Sequence, residues 1–337
     1  MIKNRRFTLV RRPKGAPVQE DFQFDEVDLP TLSDGQFIIR NHYASLDPAM
    51  RGWMDDVPSY LPPIPLGAAV RASTVGQVFR SRNPDFPEGQ WVMGMNALED
   101  YSLAESGGFT HKIDPDAVPS ITHYLYIFGA VGLTAYFAGL EEGQPKAGET
   151  VLVSGAAGAV GSLVGQLAKI RGARTIGIAG GPKKCARLLD DYGYDVAIDY
   201  RGKSLSALVR EIRDAAPNGV DFIFENVGGD ILDAGLINLA KHGRIILCGL
   251  ISEYNSETRV GARHIWRLIV VAGTMKGFIL TDYGKRFGEG AAAMAEIMAK
   301  HKLRFDEHVD EGLENAYASL MRLFEGTNEG KMILKIA

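Results

Sequence analysis

Cysteine is nearly absent, with only Cys185 and Cys248 in a chain of 337 residues. Two cysteines cannot supply a disulfide framework or a cysteine-rich metal site, and their scarcity suits a reducing compartment. Histidine is thin as well. His42, His111, His123, His242, His264, His301 and His308 are scattered, and none stands at ligand spacing from another histidine or a cysteine. A catalytic zinc needs three protein ligands; no such set assembles, so no metal is expected. Basic charge is not in excess: 37 Lys and Arg stand against 41 Asp and Glu, a net of −4. That balance argues against a nucleic-acid partner. The basic start (Arg5, Arg6, Arg11, Arg12, Lys14) is broken by apolar residues and reads as the solvated face of an early strand. No apolar run has the length of a membrane helix, and no signal-peptide core opens the chain. The expectation is a soluble, cytoplasmic protein with no membrane contact. A G-x-S-x-G elbow is missing too, as are repeats and low-complexity segments.

What is present falls into two halves. The length predicts two domains, and 46% hydrophobic residues are enough to give each a core. Residues 1–125 are rich in turn formers and short alternating runs, such as Gln36-Phe37-Ile38-Ile39-Arg40-Asn41 and 70–79. Pro58, Pro62, Pro63 and Pro65 mark an extended loop. This half reads as mostly β. From Thr150 the rhythm turns to strand and helix in alternation. Strands are expected at Thr150–Ser154, Arg174–Ala179, 195–199, Val220–Glu225, 243–250 and 269–276. Helices are expected at 159–171, 183–192, 205–216 and 230–241. Such alternation predicts a parallel, doubly wound α/β sheet. The tail ends in a strand-like Met332-Ile333-Leu334-Lys335-Ile336 and is expected to fold back onto the first domain.

Between the first of those strands and its helix lies Ser154-Gly155-Ala156-Ala157-Gly158-Ala159-Val160-Gly161. Strand-to-helix context makes this glycine pattern a dinucleotide loop, although Ala156 stands where the first glycine is usual. Gly158 lets backbone approach a pyrophosphate and Gly161 lets the helix pack close. The helix N-terminus adds oriented N–H groups and partial positive charge. An NAD enzyme carries an acid at the end of the next strand. Here that place reads Ala179-Gly180-Gly181-Pro182-Lys183-Lys184, and no acid occurs between Glu149 and Asp190. The lysines could be ordinary first-turn residues, but cations there oppose the helix dipole. A 2′-phosphate would explain them, which favours NADP(H). Gly202-Lys203-Ser204 imitates the end of a P-loop, but position 197 is Ala where the motif needs Gly. On these grounds Tyr60, in the proline-rich loop, and Tyr254, beyond a sheet strand, are read as loop-filling aromatics.

Several segments together carry a family resemblance: Leu46-Asp47-Pro48-Ala49-Met50-Arg51-Gly52, Ser59-Tyr60-Leu61-Pro62-Pro63, Gly132-Leu133-Thr134-Ala135-Tyr136, 154–161, Glu225-Asn226-Val227-Gly228-Gly229, 248–255, and Asn328 with Gly330-Lys331. Over nearly its whole length the chain resembles the zinc-independent medium-chain dehydrogenases/reductases. More closely, it resembles the leukotriene B4 dehydrogenase, prostaglandin reductase and 2-alkenal reductase group, which includes bacterial NADP-dependent curcumin and quinone reductases. The resemblance implies a GroES-like, mostly-β catalytic domain (1–125 and 305–337) and a Rossmann NADP-binding domain (126–304). Besides Gly158, Ala159, Val160 and Gly161, it implies 2′-phosphate contacts at Lys184 and Tyr200. It implies cofactor-lining positions at Asn226, Cys248, Gly249, Leu250, Ile251, Ser252 and Tyr254. Phe278, Ile279 and Leu280 correspond to a strand meeting the nicotinamide carboxamide, and Asn328 to a further cofactor contact. Tyr254 matches a substrate-side, catalytic tyrosine and Tyr60 a substrate-pocket one. Leu46-Asp47-Pro48 and Pro65-Leu66-Gly67-Ala68 stand where zinc-dependent relatives carry ligands. Phe278 is followed by Ile-Leu-Thr-Asp-Tyr, a departure that bears on the substrate rather than the reaction class.

The expected reaction is hydride transfer from NADPH to the activated double bond of an α,β-unsaturated aldehyde or ketone. Quinone reduction is the neighbouring alternative, and a non-catalytic NADPH-binding sensor the distant one. A homodimer is expected, with 269–280 as the apolar strand edge it would cover.

Overall fold

A computed structural model describes residues 2–258 and 260–337. The chain forms two compact units. One comprises the chain up to Tyr126 together with Glu307–Ala337, and the other is Ile127–Asp306.

In the first unit, alternating apolar residues build an antiparallel arrangement. Strands β1 (Lys3–Leu9) and β2 (Phe22–Asp28) pair as a two-stranded ribbon. The larger sheet holds β3 (Gln36–Ser45), β4 (Arg71–Ser81), β5 (Trp91–Ala97), β6 (Tyr101–Glu105) and β7 (His111–Lys112). Phe7 stacks on Phe22 at 4.7 Å between ring centroids and opens a core that includes Leu46, Met50, Trp53 and Leu334.

In the second unit the strands alternate with helices. They are β8 (Thr150–Ser154), β9 (Arg174–Ala179), β10 (Val196–Asp199), β11 (Val220–Glu225), β12 (Leu239–Leu247) and β13 (Thr274–Gly277). All pairings are parallel, in the order β10-β9-β8-β11-β12-β13. The run Val151-Leu152-Val153 is fully buried, as a central parallel strand covered on both faces requires. Helix Ala159–Ile170 buries Leu163, Val164 and Leu167. Helix Leu205–Ala215 starts where the Ser204 hydroxyl accepts the Ala207 N–H at 3.4 Å. Order reverses between β8 and β11, and that reversal opens a crevice at the carboxyl edge.

Three expectations are corrected. The helix expected over 230–241 is Gly229–Ile237, and β12 begins already at Leu239. Asn238 makes the break: its side chain donates to Val209 O and Ala234 O, and its carbonyl takes the Val220 N–H. The strand expected over 243–250 is therefore early and ends at Leu247. The strand expected from Ile269 is a short helix, Arg267–Val271, and only Thr274–Gly277 is extended. Ala272, in the left-handed region at φ 49°, turns the chain between them. Phe278 still donates its N–H to Leu247 O at 3.0 Å, but Ile279 lies outside the strand and Leu280 begins a 3-10 turn, Leu280–Arg286.

The chain then contributes β14 (Glu307–Glu311), helix Ala316–Glu325 and β15 (Lys331–Lys335) to the first unit. β15 lies between β14 and β3. Lys331, 1% exposed, donates its ammonium protons to Leu46 O at 2.7 Å and to Asp47 at 2.9 Å. Among the described residues no helix is long and apolar enough to cross a membrane. Replacing Lys331 by Met keeps the stem but takes from the Leu46 carbonyl its ammonium donor and leaves Asp47 only the Ser45 hydroxyl. The expected loss is about 2–3 kcal/mol. It would be read as a lower urea midpoint at unchanged slope.

Candidate cofactor-binding site

The loop after β8 is built from close approach. Gly155 has φ 58°, so the left-handed turn sits one residue before Ala156. Ala156 itself is fully buried and donates its N–H to Ile178 O at 3.0 Å, which is why alanine serves there. A Cβ on Gly161 would lie 2.5 Å from Gly155 O and 2.8 Å from Ala156 Cα. Only glycine lets helix Ala159–Ile170 start against the loop. Gly158 is the residue before that helix, so the positive end of the helix dipole opens at the carboxyl end of β8. Such a terminus can take an anionic pyrophosphate.

Beside it, β9 ends at Ala179 and helix Pro182–Asp190 begins after Gly180 and Gly181. Lys183 and Lys184 stand in that helix's first turn. The side chains of Tyr200 and Arg201, just past β10, lie over Gly180: a Cβ there would meet both at 3.1 Å. Arg201 was not among the residues singled out by sequence. Its signal was faint, a cation after the third strand, and it mattered only once β10 was seen to pair with β9. An acid does reach this corner, from β10 rather than β9. Asp199 accepts the N–H groups of Gly181 at 2.7 Å and Arg201 at 3.0 Å. These two donors hold its carboxyl below the usual range.

At the end of β11, Asn226 donates its side-chain amide to Ser154 O at 2.7 Å. Past β12 come Cys248, Gly249 and Leu250, then the short helix Ile251–Tyr254. The Tyr254 hydroxyl accepts the Leu250 N–H at 3.2 Å, closing the loop on itself. Ser252 is tied back to Val227 O through both its N–H and its hydroxyl. Past β13, Phe278 stacks on Tyr283 at 5.3 Å. Residues 154–161, Lys184, Tyr200, Asn226, 248–254 and Phe278 thus follow strands of one parallel sheet at its carboxyl edge. Tyr60 and Asn328 belong to the other unit. The Tyr60 hydroxyl accepts the Trp53 indole N–H at 3.0 Å, and Asn328 donates to Gly330 O at 2.9 Å. Among the described residues, no group of three or more His, Cys, Asp or Glu is arranged to hold a metal ion.

This edge, with a glycine loop at the order reversal and cations at the second strand, has the form of a dinucleotide-binding α/β unit. Comparison with known proteins agrees. A family model described as the N-terminal domain of oxidoreductase matches residues 5–112, and one described as zinc-binding dehydrogenase matches 159–296. The chain is 38% identical to the NADPH-dependent curcumin reductase of Escherichia coli (strain K12), over 99% of this chain and 97% of that one. It is 35% identical to the 2-alkenal reductase (NADP(+)-dependent) of Nicotiana tabacum, over 100% and 98%. The crystal structure of CurA in complex with NADPH from Vibrio vulnificus superimposes with a TM-score of 0.91 at 39% identity, covering 99% of each chain. The chain belongs to the zinc-independent medium-chain dehydrogenase/reductase family, and it is an NADP-dependent oxidoreductase.

Burial around its sulfur, with Glu225 beside it, pushes the Cys248 thiol up to about 12. A raised thiol pKa lowers the thiolate fraction at neutral pH. Cys248 is therefore poorly disposed to act as a nucleophile at neutral pH. In the native protein at pH 8, a disulfide reagent is expected to label it about a hundredfold or more slowly than in the unfolded chain. The rate should climb as pH approaches 12. Equal native and unfolded rates would contradict the assignment.

Proposed function

We propose that this protein reduces the activated carbon–carbon double bond of α,β-unsaturated aldehydes and ketones with NADPH, without zinc. The carrying observation is the convergence of the glycine loop and the tyrosine-bearing loop after β12 on one sheet edge. The relatives named for curcumin and 2-alkenals support the substrate class.

In this reading Gly158, Ala159, Val160 and Gly161 hold the pyrophosphate, and Lys184 and Tyr200 the 2′-phosphate. Arg201, over Gly180, joins them. Asn226, Cys248, Gly249, Leu250, Ile251, Ser252 and Tyr254 line the nicotinamide half, and Phe278, Ile279 and Leu280 meet its carboxamide. Asn328 is given a further cofactor contact, and Tyr60 a place in the substrate pocket, on the family resemblance. The unit formed by the two chain ends would be the catalytic one, and Ile127–Asp306 the NADP-binding one. When bound, reduced nicotinamide supplies hydride to the substrate's β-carbon. The chain's own task is electrostatic. Negative charge develops on the substrate carbonyl oxygen, and the Tyr254 hydroxyl can donate a hydrogen bond to it. The α-carbon then takes a proton from water.

The test is NADPH deuterated at the transferring position, with an enone acceptor. Label is expected on the β-carbon; label found only on the carbonyl carbon would refute the mechanism. Reduction of quinones without reduction of any enal or enone would turn the reading to the quinone alternative.

A homodimer in the cytoplasm completes the proposal. β13 is the outer strand of its sheet. In the segment leading to it, Val260, Ile265, Trp266, Ile269 and Val270 are exposed, Ile269 by 85%. Exposed apolar side chains on a segment that feeds an outer strand favour cover by a second copy. Sedimentation at micromolar concentration should give a dimer, and Ile269→Asp should shift it toward monomer. A wild-type monomer would remove the dimer from the proposal.

A further inference from the structure

Glu225 has no part in the chemistry above, yet its side chain is heavily engaged at the carboxyl edge. It closes β11 and is 1% exposed. One carboxylate oxygen accepts three donors: the Ser154 hydroxyl at 2.7 Å, the Val227 N–H at 2.6 Å and the Gly228 N–H at 2.8 Å. The Ser154 oxygen in turn accepts the Asn226 N–H at 2.7 Å. Through its main-chain carbonyl Glu225 also takes the N–H groups of Cys248 and Gly249. The end of β8 and the segments after β11 and β12 are all hydrogen-bonded to this one residue.

The turn it fills has a particular shape. Gly228 and Gly229 have φ of 84° and 56°, and helix Gly229–Ile237 begins there. Successive N–H groups converging at a helix start form an anion-binding concavity. In the loop after β8 a comparable start stands at the edge of the sheet. After β11 the concavity is filled from within, by the carboxylate of the strand it follows. The pair of glycines that looks like a second phosphate turn is thereby satisfied internally. The same bonds set Asn226, whose amide is held between its own N–H link to Ser154 Oγ and its side-chain link to Ser154 O.

We propose that Glu225 is a positioning residue for the cofactor: by filling the Asn226–Gly228 turn and gripping Ser154, it fixes Asn226 and the loop after β12 in their cofactor-lining places. This rests on the NADP reading of the edge. A carboxyl group suits the task because one of its oxygens takes the Ser154 hydroxyl and two main-chain N–H groups together. Burial pushes its carboxyl up from the ordinary range, against the pull of those same donors. A glutamine would bring a buried amide donor where none is called for.

The test is NADPH affinity by fluorescence titration of wild type, Glu225→Gln, Asn226→Ala and the double variant. Glu225→Gln is expected to raise the Kd for NADPH about tenfold, the effect of one disturbed buried hydrogen-bond group. Because Glu225 acts through Asn226, the double variant should bind no more weakly than the worse single one. Additive losses, or a lowered melting temperature with unchanged Kd, would overturn the proposal. Should Glu225→Gln fail to fold, Ser154→Ala removes one donor and the Asn226 N–H acceptor while keeping the charge. It too should weaken NADPH binding severalfold, and an unchanged Kd would again overturn the proposal. Wild-type protein that does not bind NADPH would sink the cofactor reading and this one with it. Wild-type binding with unaffected variants would sink this one alone.

Discussion

β8 is paired on both sides, with β9 on one flank and β11 on the other. That double pairing is the constraint on which the candidate site depends. The chain leaves β8 in one direction through β9 and β10, then crosses back to continue outward through β11, β12 and β13. With right-handed crossovers, the helices after β8 and after β11 must lie on opposite faces. Their separation opens the crevice at the carboxyl edge, and the first of them starts within contact distance of its loop because Gly161 has no side chain.

The charges at that edge are sorted by burial. Glu225 is inside and spends its carboxylate on the turns that follow the central strands. Asp199 is turned onto the N–H groups of Gly181 and Arg201, so its charge serves the backbone at the end of β9. The cations Lys183, Lys184 and Arg201 stand around the same corner. A carboxylate satisfied by main-chain donors, as Asp199 is, leaves the cations beside it to make a corner suited to a phosphate rather than to a ribose diol. This is a physical reason for NADP that complements the lack of an acid at the end of β9.

Much of the second unit was legible because period and punctuation agree there. Val151-Leu152-Val153 followed by a glycine-rich turn and a helical spacing admits few readings, and β8, β9 and β11 lie where their patterns place them. Boundaries set by distant partners were not legible. The helix pattern of 230–241 runs on past Ile237, but Asn238 is pulled out by Val209 and Val220, which are far away in the chain. The apolar run from Ile269 has β character, yet a left-handed Ala272 divides it into a short helix and a short strand.

By itself the sequence determined the class of the second unit, the cofactor loop within it and the family to which the chain belongs. These are local patterns, carried by residues adjacent in the chain or one helical turn apart. Only the tertiary structure decided that Arg201 reaches Gly180, that Asp199 caps Gly181, and that Glu225 ties the end of β8 to the segments after β11 and β12. Each of those contacts links segments that are neighbours only because parallel strands lie side by side, and pairing between distant segments leaves no period in the sequence to read.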